Sequence, residues 1–270
     1  MNVGAGTRYI ISTSGRASSI RRYERLLQEL LQLNMAYLPI SPRDDEQKIG
    51  AENFVQAIKG LGAVGGAISK DIKGKIIPFL DELDELARRV QSVNTVIRQG
   101  EKLIGYNTDA HGFEQAIREG IAGKPIKTAL VYGYGGVFNV VYHVLKSLGL
   151  KVYVTGRRPE AVQQINEQYG LAPHQGEPKD LFINASPVTD QPLENAPGFL
   201  DAVAGSRLVF DHEMPGAFLQ EYCQQHGIQH IPGTAMYYPQ MYKQWALFLE
   251  GVVSEEALPE LIKKASEEQP

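Results

Sequence analysis

The 270-residue chain has 43% hydrophobic and 21% charged residues, a globular balance with enough length for one large domain or two modest ones. Its net charge of −4 gives no basic face, which argues against a nucleic-acid partner. Cys223 is the single cysteine, so an internal disulfide is excluded and a reducing compartment is expected. The opening MNVGAGTRYIISTSGR has no signal-peptide run, and no stretch approaches the roughly 20 apolar residues of a membrane span. The expectation is a cytoplasmic protein.

Short apolar runs then alternate with longer amphipathic ones. YIIS (Tyr9–Ser12) reads as a strand, and YERLLQELLQL (Tyr23–Leu33) has leucines at helical spacing. AYLPI (Ala36–Ile40) reads as a strand and AENFVQAIKGL (Ala51–Leu61) as a helix. VGGAIS (Val64–Ser69) is a glycine-rich strand, and IIPFLDELDELARRV (Ile76–Val90) predicts a helix with Pro78 in its early part. SVNTVIRQGEKLIGYN predicts a hairpin turning at Gln99-Gly100. In NTDAHGF, Thr108 or Asp109 suits a helix start by accepting backbone N–H groups.

A second unit follows. TALVYG and KVYVTG read as strands, each followed by a helical stretch. DLFINAS, RLVFDH and IQHIPG are further short strands, with the helix GAFLQEYCQQHG before the last. Cys223 lies in that helix, where a buried thiol is expected. Strand–helix alternation with Val/Ile-rich strands predicts a parallel sheet covered by helices. After Gly233 the pattern is helical to the end.

The turn VYGYGGVFNVV between a strand and a helix has the form of a dinucleotide-binding turn. Gly133 permits the tight bend, Gly135 lets backbone approach a pyrophosphate, and Gly136 adds freedom. The third position of the pattern holds Phe138 instead of Gly or Ala. At the end of the next strand, TGRRPEA presents Arg157 and Arg158, with no acid before Glu160. Arginines there select a ribose phosphate over a free 2′-hydroxyl, so the expected cofactor is NADP(H), a solvated basic turn being the other reading.

AISKDIK, FLDELDELARRVQSVNTV, GYNTDAHGF, VYGYGGVF, TGRRPEA, NASPV and GTAMYYPQMYKQWALFLEG occur in the order and approximate spacing of the shikimate dehydrogenase family, over nearly the whole chain. The opening STSGRAS resembles the shikimate dehydrogenase-like branch. The resemblance implies an α/β fold with two domains. One is an N-terminal α/β substrate domain, 1–108, completed by helices of 236–270. The other is a doubly wound Rossmann-type NADP domain, 109–235. It implies an NADP-dependent oxidoreductase of aromatic amino acid biosynthesis (the chorismate pathway). Such an enzyme moves a hydride between NADP(H) and an alcohol or ketone of shikimate, quinate or a related cyclic hydroxy acid, as a monomer or homodimer.

By the same resemblance Lys73 and Asp109 are the catalytic pair, with spacing to SVNTV selecting Lys73 over Lys70 and Lys75. Ser19, Arg21, Ser69, Asn94 and Gln240 fall at substrate-binding positions. Gly133, Gly135, Gly136, Val137, Arg157, Arg158, Ala185, Ser186 and Gly233 fall at cofactor positions, and no metal is implied. A lysine beside the reacting oxygen can take or give its proton, and a carboxylate beside it orients the amine. There are departures from the pattern. Arg21 replaces the second serine of a Ser-x-Ser pair, while Ser12 and Ser14 form another such pair. Ala67, Ser69 and Asp71 replace the family's Asn, Thr and Pro, and Thr189 replaces a glycine. Two other readings stand beside the dehydrogenase. One is a non-catalytic NADP-binding sensor or scaffold, favoured by Phe138 and the altered lysine segment; the other is a Rossmann scaffold for another nucleotide.

Overall fold

The computed structural model describes residues 3–13, 17–40, 49–69, 72–188, 196, 198–212 and 217–267. Ser14, Lys70, Asp71 and Thr189 lie outside the described residues. The chain divides into two compact units, Met1–Thr108 with Met241–Pro270, and Asp109–Gln240.

In the first unit the strands are β1 (Arg8–Ser12), β2 (Met35–Pro39), β3 (Gly65–Ala67), β4 (Glu82–Leu83), β5 (Thr95–Gln99) and β6 (Lys102–Tyr106). They form one mixed sheet in the order β2-β1-β3-β5-β6-β4. Its helices are α1 (Ala17–Glu24), which runs on into a π-helical stretch over Arg25–Leu30, α2 (Ala51–Gly60) and α3 (Glu85–Val90). Phe54, Val55 and Ile58 of α2 pack with Ile11, Val96 and Leu103 of the strands in a buried core. The i, i+4 spacing of Phe54 and Ile58 puts both on one helix face, which explains why this short helix forms.

The continuous helix expected over Ile76–Val90 is replaced by a 3-10 turn at Ile77–Phe79, β4, and then α3. Two aspartates decide this. Asp81 exchanges hydrogen bonds with Leu103, donating its N–H to the carbonyl at 3.0 Å and accepting at Oδ2 at 2.7 Å. Asp84 accepts the Ala87 N–H at 2.8 Å and so starts a new helix. The hairpin expected around Gln99-Gly100 is present, with β5 and β6 antiparallel and Gly100 at φ +62°.

The second unit has β7 (Thr128–Tyr132), β8 (Lys151–Thr155), β9 (Leu181–Asn184), β10 (Leu208–Asp211) and β11 (Gln229–Ile231), all parallel, in the order β11-β10-β9-β7-β8. The helices between and around them are α4 (Thr108–Ile121, whose first residue belongs to the first unit), α5 (Phe138–Ser147), α6 (Pro159–Tyr169), the short α7 (Phe199–Val203) and α8 (Ala217–Gln225). α9 (Thr234–Phe248) begins in this unit and continues into the first, and α10 (Leu258–Ser266) follows. This is the expected Rossmann-type arrangement, and its order reverses between β7 and β9. Cys223 is buried in α8, and burial pushes its thiol up to about 12, so it is a small apolar core residue.

In α9, Trp245 is fully buried and packs at 4.6 Å on Tyr23, tilted by 45°, and Tyr23 meets Tyr37 at 4.9 Å. The aromatic trio ties the C-terminal half of α9 to α1 and β2. At the other end, α4 and α9 approach closely at Gly112. A Cβ there would overlap the Met236 carbonyl oxygen and lie 2.8 Å from Gln240 N. Gly112→Ala is therefore expected to lower stability by about 1–3 kcal/mol, the usual cost of overpacking, even though alanine gains roughly 1 kcal/mol of helix propensity. A denaturant midpoint equal to that of the unsubstituted protein would show that the two helices part without cost.

Candidate functional site

In the first unit Ser69, Lys73 and Asn94 follow the end of β3 or precede the start of β5, where Ala67 pairs with Thr95. Lys73 is half-buried in the turn after β3, and its carbonyl accepts the Val93 N–H at 2.8 Å. The next residue, Asn94, is buried and fully engaged on its oxygen. Oδ1 accepts the Thr108 N–H at 2.9 Å and the Thr95 hydroxyl at 2.9 Å. Its Nδ2 donates to Thr108 Oγ1 at 2.9 Å. The first N–H of α4, an orphan donor in any helix, is thus taken by a side chain on the adjoining hairpin instead of by a local cap. Asn107 is anchored in the same way, donating from Nδ2 to the Ser92 carbonyl at 2.8 Å. The backbone just before Asp109 is therefore held rigidly by two asparagines.

Gln244 was not foreseen. From the C-terminal part of α9 its Nε2 donates to Thr95 Oγ1 at 2.7 Å and to the Asn94 carbonyl at 3.3 Å. Gln244 lies one helical turn beyond the predicted Gln240, which the sequence offers equally; only packing shows which glutamine reaches β5. Ser69 is bound to Thr13, whose hydroxyl donates to Ser69 Oγ at 2.8 Å and accepts the Ser69 N–H at 2.7 Å. Ser12 is buried at the end of β1, while Ser19 is half-buried and Arg21 exposed on α1.

In the second unit Asp109 is the second residue of α4 and half-buried. The glycine-rich turn joins β7 to α5. Gly133 has φ +113°, and a Cβ there would lie 2.7 Å from the Ala185 carbonyl oxygen and 3.1 Å from Ser186 N. So the predicted Ala185–Ser186 segment packs directly on the turn. Asn184 holds that segment by accepting the Ser186 N–H and hydroxyl at 3.1 and 2.7 Å, and by donating to Asp211 at 2.9 Å. Gly135 and Gly136 have nothing within 4 Å of a would-be Cβ. α5 starts at Phe138, and Val137 before it gives no side-chain cap; the Phe138 N–H turns back to the Gly135 carbonyl at 2.9 Å, which closes the turn. A pyrophosphate fits such a turn. Phe138, which departs from the dinucleotide pattern, is buried against Tyr142 and Tyr169 at 6.2 and 5.3 Å, toward α6.

Arg157 and Arg158 are exposed at the end of β8. Arg158 donates from N and Nε to the Tyr134 hydroxyl at 3.2 Å each, and its guanidinium lies 5.6 Å over the Tyr134 ring. Tyr134 passes over Gly156, where a Cβ would stand 2.6 Å from the ring. This residue of the glycine-rich turn, unnoticed in the sequence, orients the arginine. Gly233 immediately precedes α9, and Gln240 lies within it. Among the described residues no cluster could hold a metal ion, and no helix is long and apolar enough to cross a membrane.

These features define a two-unit α/β protein whose second unit has the Rossmann-type arrangement. Residues 16–96 match the shikimate dehydrogenase substrate binding domain. The chain is 34% identical over 140 residues to a shikimate dehydrogenase (NADP(+)) of Desulforamulus reducens, a match that covers 50% of this chain and only 46% of that relative's length. It is 27% identical over 271 residues to a shikimate dehydrogenase-like protein of Haemophilus influenzae, covering 96% of each. Among solved structures, the shikimate 5-dehydrogenase of Thermus thermophilus, in complex with NADP(H) and shikimate, aligns with a TM-score of 0.69 at 25% identity, covering 96% of this chain and 99% of that one. The family resemblance carried by the motifs is borne out by these matches.

Proposed function

We propose that this protein is an NADP-dependent oxidoreductase that interconverts an alcohol and a ketone on shikimate, quinate or a related cyclic hydroxy acid. The observation that carries this reading is the second unit's turn. Gly133 is forced by its backbone, Gly135 and Gly136 face open space beside an uncapped helix start, and two arginines stand one strand away. The Thermus thermophilus relative, solved with NADP(H) and shikimate, supports it. When bound, NADP supplies the hydride acceptor or donor at C4 of its nicotinamide.

On this reading Lys73 handles the proton at the substrate oxygen. It takes the hydroxyl proton as the carbinol carbon loses its hydride, and returns it to the carbonyl oxygen in reduction. Asp109 orients the amine and the hydroxyl. Substrate is held by Ser69, Asn94 through its remaining Nδ2 hydrogen, and Gln240. Ser19 with Arg21 forms the carboxylate end. Gly133, Gly135, Gly136, Val137, Ala185, Ser186 and Gly233 form the cofactor bed, with Arg157 and Arg158 on the 2′-phosphate. The test is nicotinamide absorbance with NADP and a panel of cyclic hydroxy acids; silence across the panel would remove the catalytic reading.

Cofactor choice gives a separate prediction. NADPH is expected to bind at least about tenfold tighter than NADH, since a charge-assisted pair to phosphate contributes on the order of 1.5–3 kcal/mol. Tyr134→Phe removes the hydroxyl that orients Arg158, so it should erode this preference without abolishing it. Equal titration curves for the two cofactors would rule out a phosphate role for the arginines.

A further inference from the structure

His212 directly follows β10 in the second unit, and the mechanism above does not use it. Both of its ring nitrogens are shielded from solvent, and among the described residues neither has a hydrogen-bond partner. The ring packs at 5.7 Å on Phe113 of α4, tilted by 32°, and edge-on at 5.0 Å against Phe210. A neutral imidazole has one donor and one acceptor, and burying both unpaired is costly and rare. An apolar side chain would fill the same aromatic niche without that penalty. Burial pushes the His212 imidazole down to about 4, with the Asp109 carboxylate pulling the other way. The ring is therefore neutral at neutral pH and able both to donate and to accept.

The sheet order says what could supply the missing partner. A dinucleotide lies across the carboxyl ends of the strands, with one half on each side of the switch point. Here the switch lies between β7 and β9. Arg157 and Arg158, at the end of β8, mark the side for the adenosine half. The other half then extends over β9 and β10, and His212 emerges at the end of β10. We propose that His212 is the positioning residue for the nicotinamide, pairing one ring nitrogen with the carboxamide when NADP(H) is bound. A carboxamide has both an N–H and a C=O, so it can satisfy His212 in either tautomer. The inference rests on the NADP(H) reading above.

The test compares His212→Phe and His212→Gln with the unsubstituted protein by three measurements. These are the melting temperature without ligand, the affinity for NADPH, and the affinity for adenosine 2′,5′-bisphosphate, which has the phosphorylated adenosine but no nicotinamide. His212→Phe should melt no lower than the unsubstituted protein, because it removes two unpaired polar atoms. It should bind NADPH about tenfold more weakly and the bisphosphate equally well. His212→Gln, which keeps a donor and an acceptor, should recover part of the NADPH affinity. His212→Leu serves the same comparison if phenylalanine does not fit. Unchanged NADPH affinity or equal losses for both ligands would overturn the assignment. An unsubstituted protein that binds neither ligand would overturn the NADP(H) reading, and the His212 proposal with it.

Discussion

Replacing Lys73 or Asp109 by alanine is expected to cut kcat by about 10²–10⁴-fold each, the usual worth of a positioned acid–base group. Both residues sit on backbone held in place by other contacts. The Lys73 carbonyl is tied to Val93, beside the buried Asn94, and Asp109 opens a helix whose first N–H is bound by the Asn94 side chain. A side chain on fixed backbone contributes more because less freedom is lost in reaching the reacting atoms. NADPH affinity should barely change, since neither residue belongs to the glycine-rich turn. If the two act as one unit, the double variant loses far less than the product of the single losses. Single variants with full turnover, or strictly multiplicative losses, would separate the two residues and leave Asp109 as a helix-start residue only.

Gly133→Ala and Gly135→Ala should fail in opposite ways. At position 133 an alanine would meet two costs together, a φ of +113° that side chains rarely adopt and a Cβ 2.7 Å from the Ala185 carbonyl oxygen. Each is worth about 1–3 kcal/mol, so a loss of roughly 2–6 kcal/mol of stability is expected. At position 135 the added methyl meets nothing in the protein. Its stability should stay within about 0.5 kcal/mol of the unsubstituted chain. Its NADPH affinity should fall about tenfold or more, because the methyl occupies the approach of the pyrophosphate to the backbone. Calorimetry with and without NADPH reads both effects. A Gly135→Ala protein with undiminished affinity would place the phosphates elsewhere, whereas a stable Gly133→Ala protein would show that the Ala185–Ser186 segment yields.

Much of the architecture follows from local signals. Val/Ile-rich strands spaced by helical runs, a glycine-rich turn on schedule and paired arginines one strand later are short-range features, so the Rossmann-type unit and the Gln99-Gly100 hairpin are legible without any tertiary information. Arg157, Arg158 and the glycines announce themselves by type. What packing alone decided is of another kind. The break of the Ile76–Val90 pattern depends on Asp81 pairing with Leu103, a residue 22 positions away whose strand no helical period reveals. The choice of Gln244 as the glutamine on Thr95 spans 149 positions, and the capping of α4 by Asn94 spans 14. Phe138 looks like a departure from a dinucleotide turn until Tyr169 is seen to cover its ring, and the part played by Tyr134 shows only where Gly156 makes room for it. His212 reads as one more residue at a strand end. Its nitrogens are unpaired among the described residues, with Phe113 of α4 and Phe210 of β10 packed against the ring. Hydrogen-bond satisfaction is a property of the folded neighbourhood, and the one-dimensional chain holds no record of it.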